Sequence, residues 1–427
     1  MKKHFHFAII QLWLQANLIK KTHYIKIMFS PFKRTKESNI KLYYLLTIST
    51  NLWFGASNWL YVWRRFMSFG QLGWIDAIGF AFSLLLDIPT GALADIFGKR
   101  LTLILSNVCT GTGIFVIAFS NSLTGIFIGN MITQVGWAMY SGASDALIYD
   151  TLLDIKKERL FAQVLAKANM LMSYAAAAGY FLGGIFYAVY WRLPHIIWGL
   201  SYLPAIIFSY LLVEPIIDTE KFSLSGYFNK IRLGMRELWL PQLRKYLILI
   251  LILLGVYFLY TWGFVRPAIA TSFGFYAREQ SIILPILTLS CAYLIRFLPA
   301  IQNRISHLKG LTILSIIMAA GFLFAAFPIG YFGIVPMFLI ALAGKFATPW
   351  VSIVINKEIS SSYRATTLST VSLISKIPYV LIAILIGQAA ENNLLSAFCF
   401  GLSFVIIIFT FISTTMAIVK PKPARSL

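Results

Sequence analysis

The chain has 427 residues, of which 59% are hydrophobic and 12% charged, and its formal net charge is +21. Soluble domains carry roughly 25% charged residues and need polar cover, so this composition excludes a water-soluble fold. The basic residues sit in short segments between apolar blocks, which excludes a continuous nucleic-acid face and points to membrane topology.

Residues 1–41 hold nine Lys/Arg and no apolar run long enough to span the roughly 30 Å of bilayer hydrocarbon. They read as a basic cytoplasmic tail. Twelve apolar segments then follow. They are 42–63, 71–94, 101–119, 123–149, 164–190, 195–213, 244–265, 280–302, 311–331, 333–355, 366–389 and 394–419. Each is close to the ~20 residues a crossing helix needs. Of the 36 Lys/Arg, 28 fall in segments on the side of the termini. Five fall on the other side: Arg64, Arg65, Arg192, Arg266 and Arg278. This bias puts both termini in the cytoplasm of a multi-pass inner-membrane protein. The polar stretch 214–243 divides a six-helix bundle at 42–213 from a second at 244–419, with a short tail at 420–427. The expected class is therefore all-α integral membrane, twelve transmembrane helices in two pseudo-symmetric halves.

Cys109, Cys291 and Cys399 lie scattered in apolar runs with no CxxC pair and no histidine at ligand spacing. They read as buried packing residues, with no disulfide, metal or cofactor.

Between the second and third segments the chain reads Gly91-Ala-Leu-Ala-Asp95-Ile-Phe-Gly98-Lys99-Arg100. Gly98 suits a sharp turn, and the two cations hold the loop inside. This stretch resembles the signature of the major facilitator superfamily, Gly-x-Leu-Ala-Asp-x-x-Gly followed by two basic residues, in the same loop. The resemblance extends to Asp87-Ile-Pro-Thr-Gly91, to Ser141-Gly-Ala-Ser-Asp145-Ala-Leu-Ile-Tyr-Asp150, and to Arg364-Ala-Thr-Thr-Leu-Ser369, which are similar to motifs of one bacterial subgroup. It implies a cytoplasmic gate built from Asp87, Gly91, Asp95, Gly98, Lys99, Arg100, Asp145, Asp150 and Arg364. Two departures count against a drug/proton antiporter. The fifth segment has no proline before Gly183-Gly184, and the fourth reads Asn130-Met-Ile-Thr-Gln134 where that group carries an arginine.

Segments three, six, nine and twelve contain no Asp, Glu, Lys or Arg. The resemblance implies that these four face lipid. Charges inside other spans are costly and should face a partner or water. Lys345 and Lys376 lie near the midplane, Asp76 in the outer third of span two, and Arg296 toward the cytoplasm. With Asn58 and Tyr260 they are the candidate substrate and coupling residues. Ser369, Ser372 and Ser375 lie on or beside the Lys376 face. Gly125-xxx-Gly129 and Gly179-xxx-Gly183 read as close-packing signals.

The expected function is secondary transport of a small solute by alternating access, because no Walker sequence is present. No HExxH or GxSxG signals an enzyme. Proton-coupled efflux of a drug-like compound follows from the subgroup resemblance. Uptake or exchange of an anionic metabolite follows from the midplane lysines, and a non-transporting solute sensor is the reading from another class. The expected partners are a small-molecule substrate, protons and the lipid bilayer, with no nucleic acid, and the chain is expected to be monomeric.

Overall fold

The computed structural model describes residues 34–215, 224–359 and 364–418, and among them the chain is helical with no strand. The basic tails at 1–33 and 419–427 lie outside the described residues. Helix α1 (Ser38–Thr50) and the short α2 (Trp59–Trp63) form span one, which is broken between them. Then come α3 (Phe69–Phe97), α4 (Lys99–Phe119), α5 (Leu123–Asp154), α6 (Phe161–Val189) and the pair α7 (Leu193–Leu200) and α8 (Tyr202–Leu211). The linker contains a helix, α9 (Leu224–Leu238), that packs against α16. The second half is α10 (Pro241–Trp262) with α11 (Val265–Ser272), α12 (Ala277–Leu294) with α13 (Leu298–Gln302), α14 (His307–Ala325), α15 (Ile334–Glu358), α16 (Arg364–Glu391) and α17 (Leu395–Ile418).

The starts of these helices follow from local chemistry. Ser68 opens α3 with a reciprocal cap: its hydroxyl accepts from the Gln71 amide at 3.3 Å, and the Gln71 side chain accepts from the Ser68 amide at 2.9 Å. Ser122 and Ser306 cap α5 and α14 in the same way from one side. Pro241 supplies the first residue of α10, where its missing N–H has no cost.

Ten helical segments among the described residues are long and apolar enough to cross a membrane. The other two expected spans differ for physical reasons. Span one is interrupted at 51–58. Helix α5 has 32 residues, but buried Asn130, Thr133 and Gln134 dilute its apolar character.

Small residues set the packing. Gly113 of α4 meets the Gly129 carbonyl of α5, and a Cβ there would lie 2.6 Å from that oxygen. The two halves meet along two antiparallel crossings, α3 with α16 and α6 with α12. Gly73 of α3 faces the Ala383 carbonyl and Gly387 of α16 at this crossing. At the end away from the termini the halves are also tied by polar groups. Glu391 accepts from the Phe69 amide at 2.6 Å and lies 3.8 Å from Arg64. The Tyr61 hydroxyl donates to the Phe275 carbonyl at 2.9 Å and accepts from Gln280 at 2.6 Å. The charge-free segments turn apolar rows outward, as Leu101, Leu105 and Val108 do within α4 and Phe400, Phe404 and Phe411 on α17. Lipid solvates such rows at no cost.

Candidate functional site

Both first spans of the two halves break, and the breaks face each other across the bundle. In span one the chain leaves the helix after Thr50 and lays Trp53 and Phe54 into a notch on α6. Two glycines make that notch. A Cβ on Gly179 would lie 2.6 Å from the Trp53 amide nitrogen, and one on Gly183 would lie 1.9 Å from the Phe54 carbonyl oxygen. Asn58 then staples the break: its side-chain amide donates to the carbonyls of Phe54 and Gly183, both at 3.2 Å. The Ser57 hydroxyl donates to the Tyr180 carbonyl at 3.1 Å. The Asn58 amide nitrogen is thus committed to holding backbone, while its Oδ1 is buried without a partner.

Span seven breaks at Gly263, which is pressed against the Tyr379 ring. The chain restarts as α11 with Arg266 in its first turn. Sequence reasoning places Arg266 just past span seven, in an outside loop; the apolar span does end at Trp262, and Arg266 lies in the short helix that follows, with its guanidinium beside the Tyr180 ring. A readable signal existed. Gly263 followed by Pro267 is a helix stop and restart.

Arg266 enters an aromatic chamber. The rings of Trp53 and Trp262 lie 5.6 Å apart, Trp137 and Trp262 6.2 Å, and Trp53 and Tyr180 6.2 Å. The guanidinium carbon of Arg266 is 5.9 Å from the Tyr180 ring centre. Lys345 of α15 is the second cation: both it and Arg266 act electrostatically on the Tyr180 hydroxyl. Arg266 is also within electrostatic range of Tyr257 and Tyr260, and Lys345 of Cys291. The Tyr257 ring packs on Gly344, beside Lys345. Among the described residues the ion pairs are Lys36–Asp154, Arg64–Glu391 and Lys99–Asp150, so neither chamber cation has a carboxylate partner. The buried Arg266 Nε has no hydrogen-bond partner at all. Both cations are half-buried and carry no carboxylate partner, so the chamber is a positively charged region that attracts anions.

The other candidates divide. Asp76 of α3 is buried and accepts a hydrogen bond from the Tyr379 hydroxyl of α16, across the boundary between halves. Phe80 and Phe258 wall this pair at 5.3 and 5.9 Å from the Tyr379 ring. Tyr260 is buried and donates to the Met337 carbonyl at 3.2 Å, joining α10 to α15. Lys376 is half-buried on α16. Arg296 is exposed at the end of α12, stacked on Tyr293 at 3.6 Å and Phe297 at 4.6 Å, away from the chamber.

At the terminus-bearing end, Gly98 takes a positive φ of 88° and turns the chain from α3 into α4. The Lys99 ammonium pairs with Asp150 of α5. Glu214 accepts from the amides of Lys99 and Arg100, each at 2.7 Å, and so caps the positive end of α4. Arg100 donates to the Tyr210 carbonyl at 3.1 Å, and Tyr43 donates to Asp145 at 2.8 Å. The side chains of Asp87, Gly91, Asp95 and Arg364 lie outside the described residues. Sequence reasoning missed Glu214, which comes 115 positions after the helix it caps.

A family model for the major facilitator superfamily matches residues 42–383, and the chain belongs to that superfamily. It is a multi-pass membrane protein of the secondary-transporter class. No curated protein matches it in sequence. Among solved structures, a mutant of the nucleoside transporter NupG superposes with a TM-score of 0.73 at 13% identity, covering 90% of this chain and 100% of its own. A POT family transporter in complex with 5-aminolevulinic acid gives 0.68 at 11% identity, covering 88% of this chain and 95% of its own. An auto-inhibited POT family peptide transporter gives 0.64 at 13% identity, covering 91% and 98%. At these identities the likeness is one of fold.

Proposed function

We propose that this protein transports a small organic anion with a planar or aromatic portion, bound in the chamber between the two broken spans. The observation that carries this is the Arg266 guanidinium, 5.9 Å from the Tyr180 ring among the tryptophans, with no carboxylate paired to it or to Lys345 among the described residues. A carboxylate or phosphate would complete the charge of the site. The rings of Trp53, Trp137 and Trp262 would cover a flat apolar portion. Discontinuous helices near the midplane are where such folds hold substrate. Efflux of a drug-like compound has only motif resemblance behind it, and the cation pair favours the anionic solute.

Transport would proceed by rocking of the halves 42–213 and 244–419 about the chamber, with both termini in the cytoplasm of the inner membrane and the chain acting as a monomer. Asp76 is the natural proton carrier. Its hydrogen bond to Tyr379 joins the two halves, so protonating the carboxylate would weaken a charge-assisted tie between them. The residues from Asp87 to Arg100, with Asp145, Asp150 and Arg364, would serve as the cytoplasmic gate.

The test is uptake and counterflow in proteoliposomes with matched aryl solutes that differ only in charge. The anion should move, and its neutral and cationic analogues should not. Arg266→Gln should lower anion transport by at least about thirtyfold, the effect of removing one partner of a desolvated charge pair. Equal transport of the neutral analogue, or full activity in Arg266→Gln, removes this reading. Binding without counterflow would instead make the protein a sensor.

A further inference from the structure

We infer that the linker helix α9 lays a basic stripe on the anionic phospholipid headgroups of the leaflet on the terminus-bearing side. Unlike the membrane spans, α9 has no net apolar character and gathers what it has on one face. Gly234 and Leu238 are buried, and the helix packs against α16. Asn229, Arg232 and Arg236 are exposed and recur at helical spacing. Met235 and Trp239 stand beside them on the same side, at 40% and 62% exposure. The uncovered arc thus runs from an apolar shoulder to a cationic edge. A helix of this pattern settles in the plane of the bilayer surface, with its shoulder among the upper acyl carbons and its cations among the phosphates.

The charge on this arc selects the headgroup. From Leu224 to Lys245 the chain holds five Lys/Arg and a single acid, Glu237. Arg232, Arg236, Arg244 and Lys245 are all exposed. The ion pairs among the described residues involve none of them. Four exposed cations next to a membrane span draw lipids of net negative charge over zwitterionic ones.

The place of the stripe in the chain decides between a bilayer and a soluble acidic partner. Helix α9 ends at Leu238, and α10, which is long and apolar enough to cross the membrane, begins at Pro241. Trp239 and Leu240 are the only residues between them. Trp239 therefore sits at the level where the chain enters the bilayer, a boundary that indole rings favour. Arg244 and Lys245 carry the cationic edge onto the start of α10 at the same level. A soluble partner would need the charges alone; the exposed tryptophan at the bilayer boundary selects the lipid.

The experiment uses the full chain in phosphatidylcholine nanodiscs that hold a trace of spin-labelled lipid. Gln242→Cys, exposed between Trp239 and Arg244, carries a fluorophore, and the three native cysteines are replaced by alanine. Its quenching is compared for phosphatidylglycerol and phosphatidylcholine bearing the same nitroxide on the acyl chain. Phosphatidylglycerol should quench at least about fivefold more strongly, the effect of one surface cation beside the bilayer. Arg232→Gln combined with Arg236→Gln should lower that ratio at least about fivefold. Salt raised to about 0.5 M should do the same with no substitution, which keeps the test valid if the double variant does not fold. Trp239→Ser should weaken quenching by both lipids and keep their ratio. Equal quenching by the two lipids without these substitutions overturns the proposal. So does a ratio that the folded double variant, or the added salt, leaves unchanged. Quenching by neither lipid also overturns it and would make the stripe a contact for a soluble acidic partner.

Discussion

The two breaks, at 51–58 in span one and at Gly263 in span seven, occupy corresponding places in the two halves but are finished differently. The first is stapled to backbone, although Asn58 Oδ1 is itself buried without a partner. Asn58 and Ser57 satisfy carbonyls of the break and of α6, and Gly179 and Gly183 let backbone lie on backbone. The second is left open. It presents Arg266, whose Nε is buried without a partner, to a chamber that Lys345 also reaches. An interrupted helix exposes unpaired polar groups, and a protein can use its own side chains to satisfy them or leave that task to a ligand. Each break leaves one buried polar atom unpaired, Asn58 Oδ1 in the first and Arg266 Nε in the second. Under the proposed function, the first break would serve stability and the second solute recognition.

The sharpest way to break that assignment is to remove the charge at the second break. Arg266→Gln is expected to cost at least about thirtyfold in initial transport of an aryl carboxylate and to leave the melting temperature of the purified protein unchanged. A large drop in melting temperature with modest loss of transport would make Arg266 a structural residue like Asn58.

How much of this was readable beforehand follows from which forces act locally. Lipid imposes an apolar run on each span and a charge bias on each loop, so the twelve-span outline and the loop at Gly98–Arg100 stand in the sequence. Counting residues along the spans also gave Lys345 an expected place near the midplane and Asp76 one in the outer third of span two. The partners were not. Tyr379 meets Asp76 from 303 positions away, and Glu214 caps α4 from the far end of the same half. Arg266 reads as an ordinary residue beyond a span, because apolar periodicity cannot see that a short helix resumes after Gly263 and turns it toward Tyr180. The opposite error attends Asn58, a polar residue in a span that reads as functional until its two backbone acceptors are known.

A second break-point lies in the α6 notch. Gly183→Ala puts a methyl group into the Phe54 carbonyl, and backbone on both sides leaves little room to adjust. Overpacking of this kind costs about 1–3 kcal/mol. Thermal unfolding in detergent should show that loss, and whatever protein remains folded should keep its preference for the anion. A change of selectivity instead would mean that the first break also shapes the substrate.

Asn58→Ala removes the staple but not the notch. One carbonyl of the break and one of α6 lose a donor, at about 1 kcal/mol in stability. The half-saturating solute concentration should stay where it is in wild type, since Asn58 points at backbone and not at the chamber. A shift in that concentration larger than the stability loss would put Asn58 among the substrate contacts.

The smallest expected effect separates two arginines that sequence alone makes look alike. Arg296, like Arg266, follows an apolar run, and it was the one expected to face solute. It is exposed at the end of α12 and stacks on Tyr293 and Phe297, away from the chamber. Arg296→Gln should therefore leave transport of the same aryl carboxylate within about twofold of wild type, as for other exposed charges. Measured beside Arg266→Gln at matched protein density, the pair tests whether position inside the chamber, and not positive charge on the second half in general, is what draws the anion. Comparable losses in both variants would move the source of attraction from the chamber to the charged rim of the half.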